Sequence, residues 1–171
     1  MLWVFPAFAD EAFFQEQLLE ANLGNAEAQL NLGLLYDNGE GVPQNNAEAA
    51  KWYRKAANQG VAEAQVNLGS MYYRGEGISE DDAEALKWYR KSANQGNADA
   101  QYNLGLLYDN GKGTPENDVK AYSWWSVAKA QGDEDATINL DIVKKGMTKE
   151  QIAQGQALAT KCWESEFQDC D

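Results

Sequence analysis

A 36-residue period is the feature of this chain that most constrains its fold. Sliding the sequence by that distance superposes its glycine, leucine, tyrosine and tryptophan landmarks. Self-similarity at such a period is typical of a solenoid, whose units bury their apolar faces only against one another. The recurring sets are Gly24, Gly60, Gly96 and Gly132; Leu32, Leu68, Leu104 and Leu140; Tyr36, Tyr72 and Tyr108; and Trp52, Trp88 and Trp124.

Each full repeat predicts two helices joined by a glycine-containing loop. In the first repeat, apolar residues at helical spacing predict a first helix over Ala26–Asn38, which Gly39 ends in a left-handed conformation. Gly33 lies inside that helix, where glycine is unfavourable, so a neighbouring helix should approach it closely. The second helix should begin at Asn45 or Asn46, with Glu48 completing a capping box. Its expected buried stripe is Ala49, Trp52, Tyr53, Ala56 and Ala57.

The period divides the chain into six segments. Residues 10–24 predict an N-terminal cap helix with Asp10 as its N-cap, because a carboxylate can accept from the free N–H groups of a first turn. Three full repeats follow at 25–60, 61–96 and 97–132. Residues 133–171 hold a degenerate half repeat and a last helix, which Thr148 opens with Gln151 as its capping-box partner.

The first segment, residues 1–9, is apolar and uncharged and ends Ala7-Phe8-Ala9. That ending is typical of a signal-peptidase site, although the usual basic start is missing. The segment is therefore either a signal-peptide remnant or an apolar arm that packs on the first helix. The first interpretation predicts a periplasmic or secreted protein, the second allows a cytoplasmic one.

Charge and composition exclude several classes of function. The net charge is −13, and residues 1–50 contain no Lys or Arg, so the surface repels nucleic acid. This acidity either keeps the protein soluble or recruits a basic partner. The chain contains no histidine, which removes Ser-His-Asp catalysis and histidine zinc sites. We expect no cofactor, no metal and no membrane span.

The repeated pattern resembles the Sel1-like repeat, a relative of the tetratricopeptide repeat. In the first repeat the match is carried by Ala28, Leu32, Gly33, Tyr36, Gly39, Gly41, Val42, Ala49, Trp52, Tyr53, Ala56, Ala57 and Gly60. The resemblance implies an all-α fold, an α/α right-handed superhelix of helical hairpins. It also implies a non-catalytic scaffold or adaptor that binds a protein or peptide in its concave groove. We expect the protein to be a monomer.

The chain also resembles the secreted, cysteine-rich bacterial Sel1-like proteins, some of which have been linked to β-lactams. Their C-x₇-C staples are absent from the repeats here, but Cys162 and Cys170 have the same spacing. In one straight helix these residues would lie about 12 Å apart along the axis, so a disulfide requires the chain to fold back. The alternative is two free thiols.

An asparagine recurs in every first helix, at Asn31, Asn67, Asn103 and Asn139. Its amide offers both a donor and an acceptor, which suits a peptide bond. The alternative is that these amides bond the adjacent loop. Tyr73 and Arg74 are either an interface hot spot or neutral drift. The candidate peptide-binding residues are Asn31, Leu34, Asn38, Asn67, Ser70, Tyr73, Arg74, Asn103, Leu106 and Asn110.

An enzymatic interpretation rests on one tetrapeptide. Ser126 and Lys129 fit the S-x-x-K pattern of penicillin-recognising enzymes, but the companion motifs are absent and Ser126 has the register of exposed Arg54 and Arg90. We therefore predict no catalysis. The alternative function is a secreted β-lactam-binding or hydrolysing protein, or a factor associated with the cell envelope or a polysaccharide.

Overall fold

The structure, a computed structural model, describes the backbone of residues 6–170 and the side chains of residues 11–170. Within that part of the chain there are nine α-helices and no strand. The helices are α1 (Pro6–Asn22), α2 (Ala26–Asn38), α3 (Asn46–Asn58), α4 (Ala62–Arg74), α5 (Asp82–Ala93), α6 (Ala98–Asp109), α7 (Asp118–Ala130), α8 (Glu134–Val143) and α9 (Lys149–Glu164).

The first helix starts earlier than the sequence indicated. Helix α1 begins at Pro6, so Asp10 lies inside it and is not its N-cap, contrary to the prediction. Proline is well suited to a first helical turn, because its missing N–H would have no partner there. Residues 1–5 of the proposed signal-peptide remnant lie outside the described part of the chain.

The repeat helices begin and end where local chemistry predicts. Helix α2 ends at Gly39, which has φ 73° and donates its N–H to the carbonyl of Leu35. The Asn45 side chain accepts from the N–H of Glu48 at the start of α3. The predicted bond from the Asn45 N–H back to the Glu48 side chain is not formed, so that part of the capping-box prediction is wrong. The Glu48 carboxylate instead binds Lys51 at 2.5 Å. A complete capping box does form at Thr148.

The first compact unit extends to Glu80 and contains α1 to α4. Its core includes Phe14, Leu32 and Trp52. At Gly33 an added Cβ would lie 2.3 Å from Cδ1 of Tyr53, so the expected close approach of the paired helix is confirmed. The stripe predicted for the second helix, residues 49, 52, 53, 56 and 57, is buried throughout.

The second compact unit begins at Asp81 and contains α5 to α9. Gly105 repeats the close approach, here to Trp125. Helix α9 packs along α7, where Gly155 lies so close to Tyr122 that a Cβ would come within 2.6 Å of its ring. Past α9 the chain turns back, and a disulfide joins Cys162 to Cys170.

The C-terminal tail is held against the turn between α5 and α6. An added Cβ at Gly96 would lie 2.8 Å from the Phe167 ring, and Gln168 donates to the carbonyl of Asn94 at 3.0 Å. Glu166 and Phe167 adopt positive φ values of 52° and 67°. Both residues lie in the loop that the Cys162–Cys170 disulfide closes, so the bond holds the chain in this turn.

Candidate functional site

The candidate residues of α2 are half-buried or exposed, and two of them bond nearby side chains. The amide of Asn31 donates to Oε1 of Gln17 in α1 at 2.9 Å. Leu34 is half-buried, and the exposed Asn38 donates to the Glu40 carboxylate at 3.3 Å. This face of α2 is thus a mixed polar and apolar surface.

Helix α4 carries the most varied candidate set of the first unit. Asn67, Ser70 and Tyr73 are half-buried, and Arg74 is exposed, 3.8 Å from the Glu76 carboxylate. Among the described residues, the side chain of Asn67 makes no hydrogen bond. Asn67 is therefore an amide on the surface that the fold does not use.

In the second unit, Asn103 donates to the carbonyl of Asp99 in its own helix at 2.8 Å. Asn110 does the same to Leu106, which is half-buried. The later recurrence, Asn139, donates to the hydroxyl of Tyr102 at 3.4 Å. Burial raises the pKa of Tyr102, and the bond from Asn139 partly opposes that rise.

The recurring asparagines share one property, although their partners differ. Asn31, Asn103 and Asn139 bond through the amide NH₂ group, to a neighbouring helix or their own helix, and not to the adjacent loop. Within residues 11–170 their Oδ1 atoms accept no hydrogen bond. Each of these three residues therefore leaves its amide oxygen available as an acceptor on its own helix.

The three repeats match the model of a known family. The Sel1 repeat model matches residues 26–61, 62–97 and 98–133. The chain belongs to the Sel1 repeat family. Proteins of this family are generally scaffolds for protein interaction and are typically non-catalytic.

Solved structures of other Sel1 repeat proteins have the same fold. A Sel1 repeat protein from Oxalobacter formigenes is 38% identical, with a TM-score of 0.67 over 74% of this chain and 96% of that one. The protective antigen c5321 of uropathogenic Escherichia coli, which displays an SLR fold, is 28% identical, with a TM-score of 0.69. The match covers 90% of this chain and 42% of c5321. The predicted all-α solenoid class is thus confirmed.

Two further matches show less. Cysteine-rich protein B of Helicobacter pylori, at 22% identity and a TM-score of 0.61 over 78% of this chain and 96% of that one, shows the fold alone. The chitin synthase regulator SKT5 of Saccharomyces cerevisiae is 44% identical over 54 residues, which are 30% of this chain. The matched segment spans only 8% of SKT5. In residues 6–170 no helix is long and apolar enough to cross a membrane.

The S-x-x-K tetrapeptide of the third Sel1 repeat lies in α7. The Ser126 hydroxyl donates to the carbonyl of Tyr122 at 2.7 Å, as serines in helices often do, and Lys129 is exposed. Within residues 11–170, no hydrogen bond joins the side chains of Ser126 and Lys129. Among residues 11–170 there is also no cluster of His, Cys, Asp or Glu that could hold a metal ion.

Two clefts, on α3 in the first unit and on α5 in the second, were not predicted from the sequence. The larger one, about 490 Å³, lies on α3 and is lined by Ala47, Glu48, Ala50, Lys51, Trp52, Arg54, Lys55, Asn58, Gly77 and Ile78. A counterpart of about 330 Å³ on α5 is lined by Ala83, Leu86, Lys87, Arg90, Lys91 and Asn94. The signal for them was present, because a Lys-x-x-Arg-Lys pattern recurs at the 36-residue period.

Proposed function

We propose that this chain is a protein-interaction module that binds an extended peptide along the exposed face of its first Sel1 helices, without catalysis. In the first unit that face comprises Asn31, Leu34 and Asn38 of α2 with Asn67, Ser70, Tyr73 and Arg74 of α4. In the second unit Asn103, Leu106 and Asn110 present the same type of surface on α6.

One observation carries the proposal: the half-buried Asn67 makes no hydrogen bond within the described residues. A polar group that is partly removed from water loses hydrogen bonds to water. A ligand that bonds both the oxygen and the nitrogen of the amide replaces those bonds. Tyr73 and Arg74 lie on the same helix and belong to the residue types that most often anchor interfaces. Together they supply polar recognition and apolar contact area.

We further propose that the protein is exported, to the periplasm or beyond the cell. The Cys162–Cys170 disulfide supports this, because such bonds persist in oxidising compartments and are rare in the cytosol. The apolar segment at residues 1–9 also supports export, because it ends Ala7-Phe8-Ala9, which is typical of a signal-peptidase site.

The test starts from a peptide selected on the wild-type protein from a random display library. We expect Asn67→Ala to weaken binding of that peptide by roughly fivefold, about 1 kcal/mol, because one hydrogen-bonding group is lost. The melting temperature should stay unchanged. Isothermal titration calorimetry and circular dichroism measure the two quantities.

The matched control is Asn58→Ala, the same change at an exposed residue of α3. It should leave peptide affinity as in the wild type. If no peptide is enriched, or if Asn67→Ala lowers stability and leaves affinity intact, the first helices do not form the binding surface and Asn67 serves the fold.

A further inference from the structure

The cleft on α3 combines an apolar floor with a cationic rim. Ala47, Ala50 and Ile78 contribute apolar surface, and Lys51, Arg54 and Lys55 surround it. These cations belong to a chain with a net charge of −13. A basic rim of this kind favours an acidic ligand that carries apolar side chains for the floor.

Neighbouring side chains hold the rim cations in place. The Lys55 ammonium lies 3.5 Å from the centroid of the Trp52 ring, and Arg54 donates to the Tyr72 hydroxyl at 2.5 Å. Lys51 pairs with Glu48, the one carboxylate in the cleft. Three cations against one carboxylate leave the rim positive. The cations of the α5 cleft are held in the same way: Lys87 pairs with Glu84, and Lys91 lies over the Trp88 ring.

In the third repeat, a helix packs on the face of α7 that corresponds to the cationic face of α3. At the positions of Lys51, Arg54 and Lys55, α7 has Ser123, Ser126 and Val127, and there the chain's own helix α9 packs along the face. Helix α9 carries two lysines and two glutamates, so a neutral helix covers an uncharged face. By the same logic, a cationic face is suited to an acidic helix.

Helix α1 of this chain is such a helix. Every charged residue in it is acidic, including Glu16 and Glu20, which are exposed. Apolar side chains lie beside them: Phe13 is 45% exposed, Leu19 62%, and Leu23, just past the helix, 75%. The buried side of α1, with Phe14, already packs against the Tyr36 ring of α2. Among the side chains of residues 11–170, the opposite side thus offers an acidic, apolar surface that packs against no other element.

We propose that the α3 cleft is the docking site for helix α1 of a second copy of this chain. Leu19 and Leu23 of one copy fill the apolar floor of the other, and Glu16 and Glu20 meet the rim cations. Two copies could exchange these contacts reciprocally or add head to tail. This goes beyond the peptide-binding face of the first helices and departs from the monomer that the sequence suggested.

Sedimentation velocity of the full chain over a concentration series tests the proposal. At about 0.1 M salt the Debye length of about 10 Å screens the repulsion between two net charges of −13 more than it screens contacts inside the cleft, so the sedimentation coefficient should rise with concentration. Roughly 1 M salt, with a Debye length of about 3 Å, should reverse the rise. The double variant Lys51→Glu, Lys55→Glu should weaken self-association by about tenfold or more. The control Lys129→Glu, Lys145→Glu makes the same charge change at exposed sites outside the clefts and should have a much smaller effect.

A second double variant, on α1, distinguishes loss of the contact from misfolding of the cleft variant. Glu16→Lys with Glu20→Lys changes only the exposed side of α1, and it should also weaken self-association. Mixing the two double variants should restore a complex. The reversed α1 of one variant then meets the reversed cleft of the other, and the two unchanged surfaces are also complementary. A wild-type chain that stays monomeric at every concentration at about 0.1 M salt overturns the proposal, as does a mixture that forms no complex.

Discussion

Gly33 illustrates why a residue that weakens an isolated helix is kept in this one. Helix α2 approaches α3 so closely that a Cβ at this position would lie 2.3 Å from Cδ1 of Tyr53. Tyr53 has no room to move, because it is fully buried and its hydroxyl donates to Asp37. Burial, reinforced by the Asp37 carboxylate, also raises the pKa of the Tyr53 phenol, so it stays a neutral donor.

We therefore expect Gly33→Ala to lower the free energy of unfolding by about 1–3 kcal/mol through overpacking. The loss should appear despite the higher helix propensity of alanine. Urea unfolding followed by circular dichroism measures it. Gly146→Ala is the matched control, since the nearest atom to its added Cβ is the Val143 carbonyl oxygen at 3.7 Å. Equal stabilities of the two variants would contradict the close-packing account.

Asp109 has lost the partner that its repeat counterpart keeps. In the first repeat Asp37 accepts from Tyr53, but in the third repeat the matching residue is Trp125, whose indole N–H donates to the carbonyl of Tyr102. Burial, followed by the Asp118 and Glu116 carboxylates, raises the pKa of Asp109. The residue also ends α6, where the helix dipole disfavours a negative charge.

Because the pKa of Asp109 is higher in the folded than in the unfolded state, its ionised form opposes folding. We expect Asp109→Asn to raise the melting temperature modestly at neutral pH. The gain should vanish at pH values below the ordinary aspartate pKa, where both states are protonated, and grow as the pH rises through the raised value. Melting curves across pH measure this, and a gain that does not depend on pH would exclude the electrostatic cause.

At the scale of elements, the helices differ in what defines their ends. The ends of α2 and α3 follow from residues next to them in sequence, Gly39 and Asn45. The C-terminal tail depends on distant contacts instead. Phe167 lies against Gly96, and Gln168 reaches Asn94, which is 74 residues earlier in the chain. The disulfide restricts the tail to conformations close to this docked one.

Reduction of the disulfide should accordingly destabilise the C-terminal element. Because the disulfide closes a loop of only about nine residues, we expect its reduction to lower the free energy of unfolding by about 2–3 kcal/mol. We expect a lower melting temperature in reductant and faster hydrogen exchange in residues 162–170. The Cys162→Ser, Cys170→Ser variant should match the reduced protein and be insensitive to reductant. Unchanged exchange after reduction would show that the Phe167 contacts hold the tail without the bond.

At the scale of the whole molecule, the period and its landmark residues were enough to predict the fold class. Sel1 repeats match residues 26–133, and the described chain is all-helical. The same residues did not predict binding chemistry. The recurring asparagines were visible in the sequence, but their bonds to Gln17, Asp99 and Tyr102 were not. Neither were the clefts, because the cations around them looked like an ordinary exposed face.

The sequence alone determined what depends on near neighbours along the chain. Helix caps and the 36-residue alternation of helix and loop act within a few residues, so their chemistry can be recognised in the sequence. Tertiary structure alone decided what depends on residues far apart in sequence: the use of each asparagine amide, the cleft between α3 and the loop at Gly77 and Ile78, and the docking of the tail. Such contacts depend on how individual side chains meet when the helices pack. A repeating sequence indicates that the helices pack in pairs, but it does not indicate which surface groups are left available to a partner.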